Sequence, residues 1–593
     1  MCGIVGCIGN IDTRKYLLEG LKSLDYRGYD SAGIAYVLDK SIRLTRTVGS
    51  VERLMGKVPD FSKADMGIGH TRWATHGVPC LKNCHPIQSM DGHITLIHNG
   101  VIENFLEVKS ELIKQGYKFH SDTDSEVIAS YIERCLSTGH DMLMSMKLAM
   151  KKLQGSFALA IIYDKDLTNL YFMKRSSPLM IGVGKDFNLI ASDAVPMIKY
   201  TNKVVDVSDN QMGVLSATDV KLFDSDLNPV SIKYSHKNPE LLSTDLHGYP
   251  HYMLKEIEEI EMVVRRLMML YYQDGSFILP KGLLREIKRS DFIVFIGCGT
   301  SYHASLVGSR FFHSIGKDSA VFIASEWAYY PIIPGKKPFV IMLSQSGETA
   351  DMIHCMNIVQ EHGLKSLIIT NTKGSTLERA ADYSMLLEAG LEVSVASTKA
   401  YVAMVTALVF LTNAYTNRHK IIGDLSDCSR IIGEIKQTLK PQIQELAKKL
   451  KGSHDIYFLG RGFDYDFALE ASLKLKEISY IHSEAIAGGE LKHGPIALIE
   501  KGTPVIVFIT DEVTEASMRN NIQEVKARGA DVYVVSTKKL SKEGDFIVVG
   551  DYKRYLSSVA ISSIAFYFAY YVSTAKGINV DKPRNLAKSV TVE

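Results

Sequence analysis

The chain has 593 residues, of which 46 % are hydrophobic and 23 % charged, values ordinary for a soluble globular protein long enough for several domains. A formal net charge of +2 gives no electrostatic case for nucleic acid or an anionic membrane as the main partner. Eight irregularly spaced cysteines with no secretory leader argue for reduced thiols in a cytoplasm and against a disulfide framework.

The chain opens MCGIVGCIGN, and no basic residue precedes this apolar run; the first is Arg14. The stretch therefore reads as part of the mature fold, a buried edge or central strand, and not as a signal peptide. With Met1 removed, Cys2 carries a thiol and a free α-amine on one carbon framework. An α-amine titrates near pH ~8 and can act as base for the thiol, which is the logic of an N-terminal nucleophile. Taken alone, the stretch also fits a buried structural cysteine, and somewhat better.

To about residue 235 the chain reads as strand-rich. MGIGHTRWATHG, HITLIHNGVIEN, FALAIIYDKDLTNLYFMKR and LIASDAVPMIKY are short apolar runs separated by turn residues. Two helical stretches interrupt them, LLEGLKSLDYRG and DSEVIASYIERCLSTG, so a sheet-on-sheet core flanked by helices is expected. Residues 231–250 are polar and turn-rich and read as a linker, followed by a helical pattern from His251.

Beyond the linker, strands alternate with helices. DFIVFIG precedes a helix from Tyr302, FVIMLS a helix from Thr349, and SLIITN another helix, which predicts a parallel sheet with right-handed crossovers. The pattern is duplicated: DFIVFIGCGTSYHASL is echoed by DIYFLGRGFDYDFALE, and KPFVIMLSQSGETADM by GTPVIVFITDEVTEAS. Two similar subdomains follow, about 286–425 and 450–580. Two apolar stretches, residues 401–417 and 555–575, carry enough Ser, Thr, Tyr and Asn to read as buried helices and not as membrane spans.

Open parallel sheets bind ligands at the carboxyl ends of their strands. Three polar loops are expected there: GCGTS (297–301), SQSGET (344–349) and VAST (395–398). Backbone N–H groups at helix N-termini and hydroxyl donors can hold a phosphate dianion; Ser and Thr also cap helices for structural reasons alone. There is no GxxxxGK[ST] and no GxGxxG with a following acidic residue, so neither a nucleoside triphosphate nor NAD is indicated, and a small phosphorylated metabolite is. In the duplicate the second loop reads TDEVTE, whose acidic side chains would repel a phosphate. That copy carries instead Glu470, Lys474 and Glu477 at i, i+4 and i+7, on one face of a helix, with His493 in a Gly-rich loop. This set is either a solvated face of ion pairs or an acid–base group suited to proton transfer beside a carbonyl. Lys588 lies in the tail DKPRNLAKSVTVE, whose Val and Leu are spaced as if packed; a lysine held in a dry site can form a Schiff base with a ketone.

The motifs CGIVG, YRGYDSAG, TRWATHG, HNGVIEN, SDTDSEV, SQSGETADM, KLKEISYIHSEA, GELKHGP and PRNLAKSVTVE together resemble the isomerising glutamine–fructose-6-phosphate aminotransferase family over essentially the whole chain. The resemblance implies an α/β multidomain protein: an N-terminal-nucleophile αββα sandwich, a class II glutaminase, over 1–235; a linker and leading helix over 236–285; two sugar isomerase (SIS) domains with parallel sheets over 286–425 and 450–580; and a catalytic tail over 581–593. Its nucleophile is Cys2. It implies that Arg72 binds the glutamine α-carboxylate and Asp124 its α-amine, with Thr75 and His76 nearby, and that Asn99 and the Gly100 N–H form the oxyanion hole. Trp73 gates an ammonia channel. Thr300, Ser301, Ser344, Gln345, Ser346 and Thr349 match the fructose 6-phosphate pocket. Lys588 matches the Schiff-base lysine at C2, Glu477 the base that moves a proton between C1 and C2, and Lys474 its assistant. His493 matches a ring-opening histidine supplied by a neighbouring subunit, so a homodimer or higher homo-oligomer is implied. No cofactor is expected. His70, His76, Cys80, Cys84 and His85 cluster in sequence without a zinc-like spacing, and no metal is expected. Two departures are Ser394, where the family pattern has glycine, and Cys84, where it has a small residue.

Other class II amidotransferases would need an acidic pyrophosphate-sugar motif or an SGG-type ATP loop, and neither is present. The competing reading is a non-catalytic sugar-phosphate sensor, against which stands the joint retention of Cys2, Glu477 and Lys588.

Overall fold

The computed structural model describes all residues except 1, 26, 27, 29, 62–63, 74–75, 238, 240–244, 331–334 and 591–593. The chain divides into two units, Met1–Thr244 with Ser589–Glu593, and Asp245–Lys588.

In the first unit, strand β1 (Gly3–Gly9) lies at the centre of a sheet, antiparallel to β2 (Met66–Arg72) on one side and to Phe187–Ala191 on the other. Its alternation has a clear physical reading. Ile4 and Ile8 enter a core shared with a second sheet, while Val5 lies against Gly20 of helix α1 (Thr13–Ser23). The first sheet runs Tyr234–His236, Lys203–Asp206, Met180–Val183, Phe187–Ala191, β1, β2, Ser31–Leu38, Ser41–Val48. The second runs Val220–Phe223, Gln211–Leu215, Asp166–Arg175, then Gly155–Tyr163, then β3 (Ile94–Ile102) and Ile87–Gln88. Ile97, Ala158, Ala160 and Phe172 meet Ile4, Ile8 and Ile68 between the sheets. On the far face of the second sheet, Leu96, Phe157 and Leu159 pack against Val127, Ile128 and Ile132 of helix α2 (Asp124–Ser137). The result is the four-layer αββα arrangement.

The sequence shows two helices in this unit; the structure adds Phe105–Lys114 and Met142–Lys152. The second is built on methionines interleaved with lysines, which blur the periodicity. Its readable signal is the cap, where the Asp141 carboxylate accepts the Met144 N–H at 2.8 Å. The expected linker starts with an edge strand, since Tyr234–His236 pairs with Lys203–Asp206. Part of that linker, 238 and 240–244, lies outside the described residues. The helical pattern after it forms two helices, Tyr252–Glu258 and Ile260–Tyr271, whose Met253, Ile257, Val264 and Leu267 join the core of the second unit.

The second unit holds two five-stranded parallel sheets of identical topology. The first runs Ser319–Ile323, β4 (Ile293–Gly297), β5 (Phe339–Leu343), Lys365–Thr370, Tyr383–Leu386. The second runs His482–Ala487, β6 (Asp455–Gly460), β7 (Pro504–Ile509), Asp531–Thr537, Ile547–Val549. In each, the chain starts in the second position and reverses direction across the sheet, so a crevice opens between the carboxyl ends of the first and third strands. One core spans both subdomains and encloses helix α4 (Lys399–Tyr415), which follows α3 (Thr300–Ser314). Segment Arg554–Ala575 is long and apolar enough to cross a membrane, yet 94 % of it is buried inside the protein. A helix without a polar face must be enclosed, and here protein does the enclosing.

Candidate active sites

Cys2 precedes β1 and is half-buried. The Trp73 N–H donates to its Sγ at 3.3 Å, and the thiol lies 3.5 Å from the Trp73 carbonyl. Burial pushes the thiol pKa up, so the resting group is a thiol in need of a base. Asn99, on β3, donates from Nδ2 to the Cys2 carbonyl at 3.0 Å. Gly100 follows with φ of +127°, and a Cβ there would lie 2.1 Å from the Ser156 carbonyl, so any side chain would strain the backbone and push the neighbouring strand aside. Arg72 is buried at the end of β2. Its Nη2 donates to the carbonyls of His76 and Gly77, and its Nη1 has no partner among the described residues. Asp124, also buried, opens α2 and accepts the Ile102 N–H at 2.9 Å. The charges of Arg72 and Asp124 both act on the Cys2 thiol. A thiol flanked by an under-used guanidinium and a carboxylate can accept a zwitterionic amino acid. His76 sets its ring edge against Phe105 at 4.9 Å. Thr75 lies outside the described residues.

In the second unit, two of the three polar loops flank the crevice of the first parallel sheet. GCGTS leads from β4 into α3, and SQSGET leads from β5 to helix Ala350–Glu361. Ser301 is buried in the first turn of α3; the Ser344 and Thr349 hydroxyls meet at 3.3 Å, and Ser344 Oγ accepts the Gly347 N–H at 3.1 Å. Ser346 Oγ accepts the Glu348 N–H at 3.2 Å, and the Gln345 backbone carbonyl accepts the Asn371 N–H at 3.1 Å. The third loop differs from expectation. VAST does not end a strand; it is separated from Tyr383–Leu386 by residues 387–394 and supplies the N-cap, Thr398, of α4. The physical reason is Glu392, whose buried carboxylate folds over that helix start and accepts the N–H groups of Thr398 at 2.8 Å and Ala400 at 3.1 Å.

The duplicate crevice is filled from within. Asp464, at the position corresponding to Ser301, accepts the Thr510 N–H at 2.7 Å and also the Thr510 hydroxyl. Burial pushes its carboxyl up to about 6 against those hydrogen bonds. A side-chain anion occupies the place a phosphate takes in such a sheet.

Glu470, Lys474 and Glu477 lie on α5 (Phe463–Ser479), and the helix face they share is buried against the first subdomain. Lys474 Nζ is 2.6 Å from Glu477 Oε2, 3.5 Å from Glu470 Oε1 and donates to Thr300 Oγ1 at 3.0 Å. Burial alone would lower the Lys474 pKa, but Glu477 and Glu470 outweigh it and raise it. Glu470 in turn pairs with His303 of α3 at 2.8 Å. Glu470 and Lys474 are thus buried and not on a solvated face, and Lys474 joins α5 to Thr300 in the GCGTS loop. Lys588 is nearly buried and sits 2.5 Å from Glu392 Oε2. Burial opposes ionisation of Glu392, but Lys588 and the α4 N–H groups prevail and hold its carboxyl below the usual range. Nearby lies a second buried carboxyl, Glu256, whose Oε2 is 2.5 Å from the Ser394 hydroxyl; this is where the serine in place of glycine is accommodated. His493 is exposed at the end of the turn Glu490–His493 and does not join the cluster of its own chain. The sequence reading missed Glu392, Glu256 and His303: each is a single polar residue without a motif.

Full-length relatives decide the family. A glutamine–fructose-6-phosphate aminotransferase (isomerising) of Bacillus licheniformis is 43 % identical over 603 residues, covering all of both chains. The chain belongs to this aminotransferase family. Members from Bacillus subtilis and Staphylococcus aureus are each 42 % identical, again over the full length of both chains. The family's two parts are matched separately, a glutamine amidotransferase domain at residues 70–198 and SIS domains at 286–414 and 449–575. The solved C-terminal domain of glucosamine-fructose-6-phosphate aminotransferase from Francisella tularensis superposes with a TM-score of 0.55 at 30 % identity, covering 57 % of this chain and all of that one.

Proposed function

We propose that the chain makes glucosamine 6-phosphate from glutamine and fructose 6-phosphate, in a cytoplasm, with glutamate as co-product. The observation that carries the reading is full-length membership of the family; the Cys2–Asn99 contact and the Lys474–Glu477 and Lys588–Glu392 pairs support it.

In the first unit, removal of Met1 frees the Cys2 α-amine, which takes the thiol proton as sulfur attacks the glutamine amide. Asn99 Nδ2 and the Gly100 N–H stabilise the oxyanion; such donors are each worth roughly 3 kcal/mol in the transition state. The unpartnered Nη1 of Arg72 receives the substrate α-carboxylate and Asp124 its α-ammonium. Ammonia leaves with the amine's proton, and water hydrolyses the thioester to glutamate. Trp73, already hydrogen-bonded to the Cys2 sulfur, gates the passage of ammonia to the second unit.

There, Ser301, Ser344, Gln345, Ser346, Thr349 and the helix N–H groups around them hold the sugar phosphate. Lys588 condenses with the C2 ketone, releasing water, and ammonia then displaces the lysine. Glu477 moves a proton between C1 and C2, with the Lys474 ammonium beside it stabilising the carboxylate and the developing enolamine. The exposed His493 serves ring opening in the site of a second copy, so the working species is at least a dimer.

The test is to incubate the protein with glutamine, with and without fructose 6-phosphate, and to measure glutamate and glucosamine 6-phosphate. Glutamate release stimulated by the sugar, with glucosamine 6-phosphate formed, is expected. No glutamate in either tube overturns the reading and leaves a sugar-phosphate sensor.

A further inference from the structure

Below the Cys2 site lies a buried histidine to which the reaction above gives no task. His70, on β2, is fully buried, and its Nε2 lies 2.9 Å from the His98 carbonyl and 3.0 Å from Asn99 Oδ1. A carbonyl oxygen can only accept, so Nε2 carries the hydrogen. Its other nitrogen, Nδ1, is buried with no partner among the described residues, as expected of the unprotonated side of a neutral ring. Burial also pushes the imidazole down to about 3, so the ring stays neutral across the working range.

With Nε2–H fixed, the Asn99 amide has one permitted orientation. Its oxygen must face His70, and its nitrogen must face Cys2, where it donates to the backbone carbonyl at 3.0 Å. A flipped amide would set N–H against N–H and carbonyl against carbonyl, losing both hydrogen bonds in a buried site. The same Nδ2 carries a second hydrogen, which this contact leaves to other use.

We propose that His70 is a positioning residue for the glutaminase reaction: its Nε2–H locks the Asn99 amide with the NH₂ group turned toward the oxyanion. The neighbouring ring of His85, 4.3 Å from His70 between centroids, packs against it, and its Nδ1, 3.3 Å from His70 Nε2, is a more distant acceptor for the same hydrogen than the His98 and Asn99 oxygens. The proposal rests on the Cys2 reading above.

The test compares His70→Phe, which keeps a ring but lacks the donor, with His70→Gln, which can restore an N–H near Nε2. Glutamine hydrolysis by His70→Phe should fall in kcat by about 30-fold or more, approaching the roughly 10²–10³-fold loss seen when an oxyanion donor itself is removed. Its KM for glutamine should change less than about three-fold, because Arg72 and Asp124 do the binding. His70→Gln should recover to within about five-fold of the parent kcat. In an Asn99→Ala background, His70→Phe should add less than about two-fold, since a residue acting through Asn99 has nothing left to position. Should His70→Phe not fold, His70→Val carries the same expectations. A raised KM with unchanged kcat, equal losses for the Phe and Gln variants, or a full additive loss in the Asn99→Ala background overturns the proposal. A parent protein without glutaminase activity overturns the Cys2 reading itself.

Discussion

Glutamate 256 should make the second unit less stable as pH rises, and removing its charge should reverse that. Its Oε1 accepts the N–H groups of Val393 at 2.5 Å and Ser394 at 3.2 Å. The Ser394 hydroxyl lies 2.5 Å from Oε2 and 2.9 Å from the Ala396 carbonyl. One hydroxyl hydrogen shared between two acceptors serves both poorly. The Ala396 oxygen only accepts, so a protonated Glu256 that donates to Ser394 Oγ satisfies both contacts. Burial and the nearby Glu392 charge push its carboxyl from 4.5 up to about 8, against the pull of Lys588 and Lys399. The folded state thus holds a proton that the unfolded chain releases above about pH 4.5. Glu256 therefore favours folding fully only below that pH, and the advantage fades until pH reaches about 8. At about 1.4 kcal/mol per pH unit, the decline between pH 5 and 8 is on the order of 3–5 kcal/mol. Glu256→Gln imitates the protonated carboxyl, with an NH₂ facing Ser394, and has no such slope. Chemical or thermal unfolding of the full chain at several pH values is the assay. Near pH 5 variant and parent should unfold within about 1 kcal/mol of each other, and by pH 8 the variant should be the more stable by a few kcal/mol. Parallel stability profiles for the two proteins between pH 5 and 8 would refute the buried proton.

Three further outcomes are expected. Cys2→Ala should abolish glutamine-dependent synthesis while sugar isomerisation and ammonia-dependent synthesis persist; equal loss of all three would mean the units do not divide the work. Lys588→Arg keeps a cation against Glu392 but cannot form the imine, so synthesis should fall by ~10³-fold or more even with ammonia supplied, while folding is retained. Gly100→Ala should cost about 1–3 kcal/mol in stability from its left-handed backbone and the 2.1 Å clash with Ser156, with glutaminase falling by ~10²-fold. Glutamine hydrolysis at parental rate in that variant would remove Gly100 from the oxyanion site.

What could be read from the sequence depended on repetition. Cys2 announces itself because an apolar strand begins at the chain start, and the β1 alternation is visible in the letters. Glu470, Lys474 and Glu477 declare a shared helix face by spacing alone, although spacing is silent on whether that face meets water or Thr300. The polar loops after β4 and β5 follow from strands alternating with helices. VAST was misplaced because its order in the chain imitates a third strand end, whereas a carboxylate from Glu392 folds it onto α4. Glu256 and Glu392 had no periodic signal at all; a lone glutamate in a loop looks solvated until the chain closes over it. His70 sits in a motif, yet its task depends on the rotation of an amide on the neighbouring sheet, which no local pattern encodes.

The carboxylate of Asp464 behaves as a permanent tenant in a cradle that its twin keeps open for visitors. Once one copy of a duplicated crevice supplies its own anion, its helix no longer has to serve an incoming guest. Further along the same helix, Lys474 reaches across to Thr300 of the open copy. Duplication here leaves one crevice open and closes the other with the chain's own carboxyl.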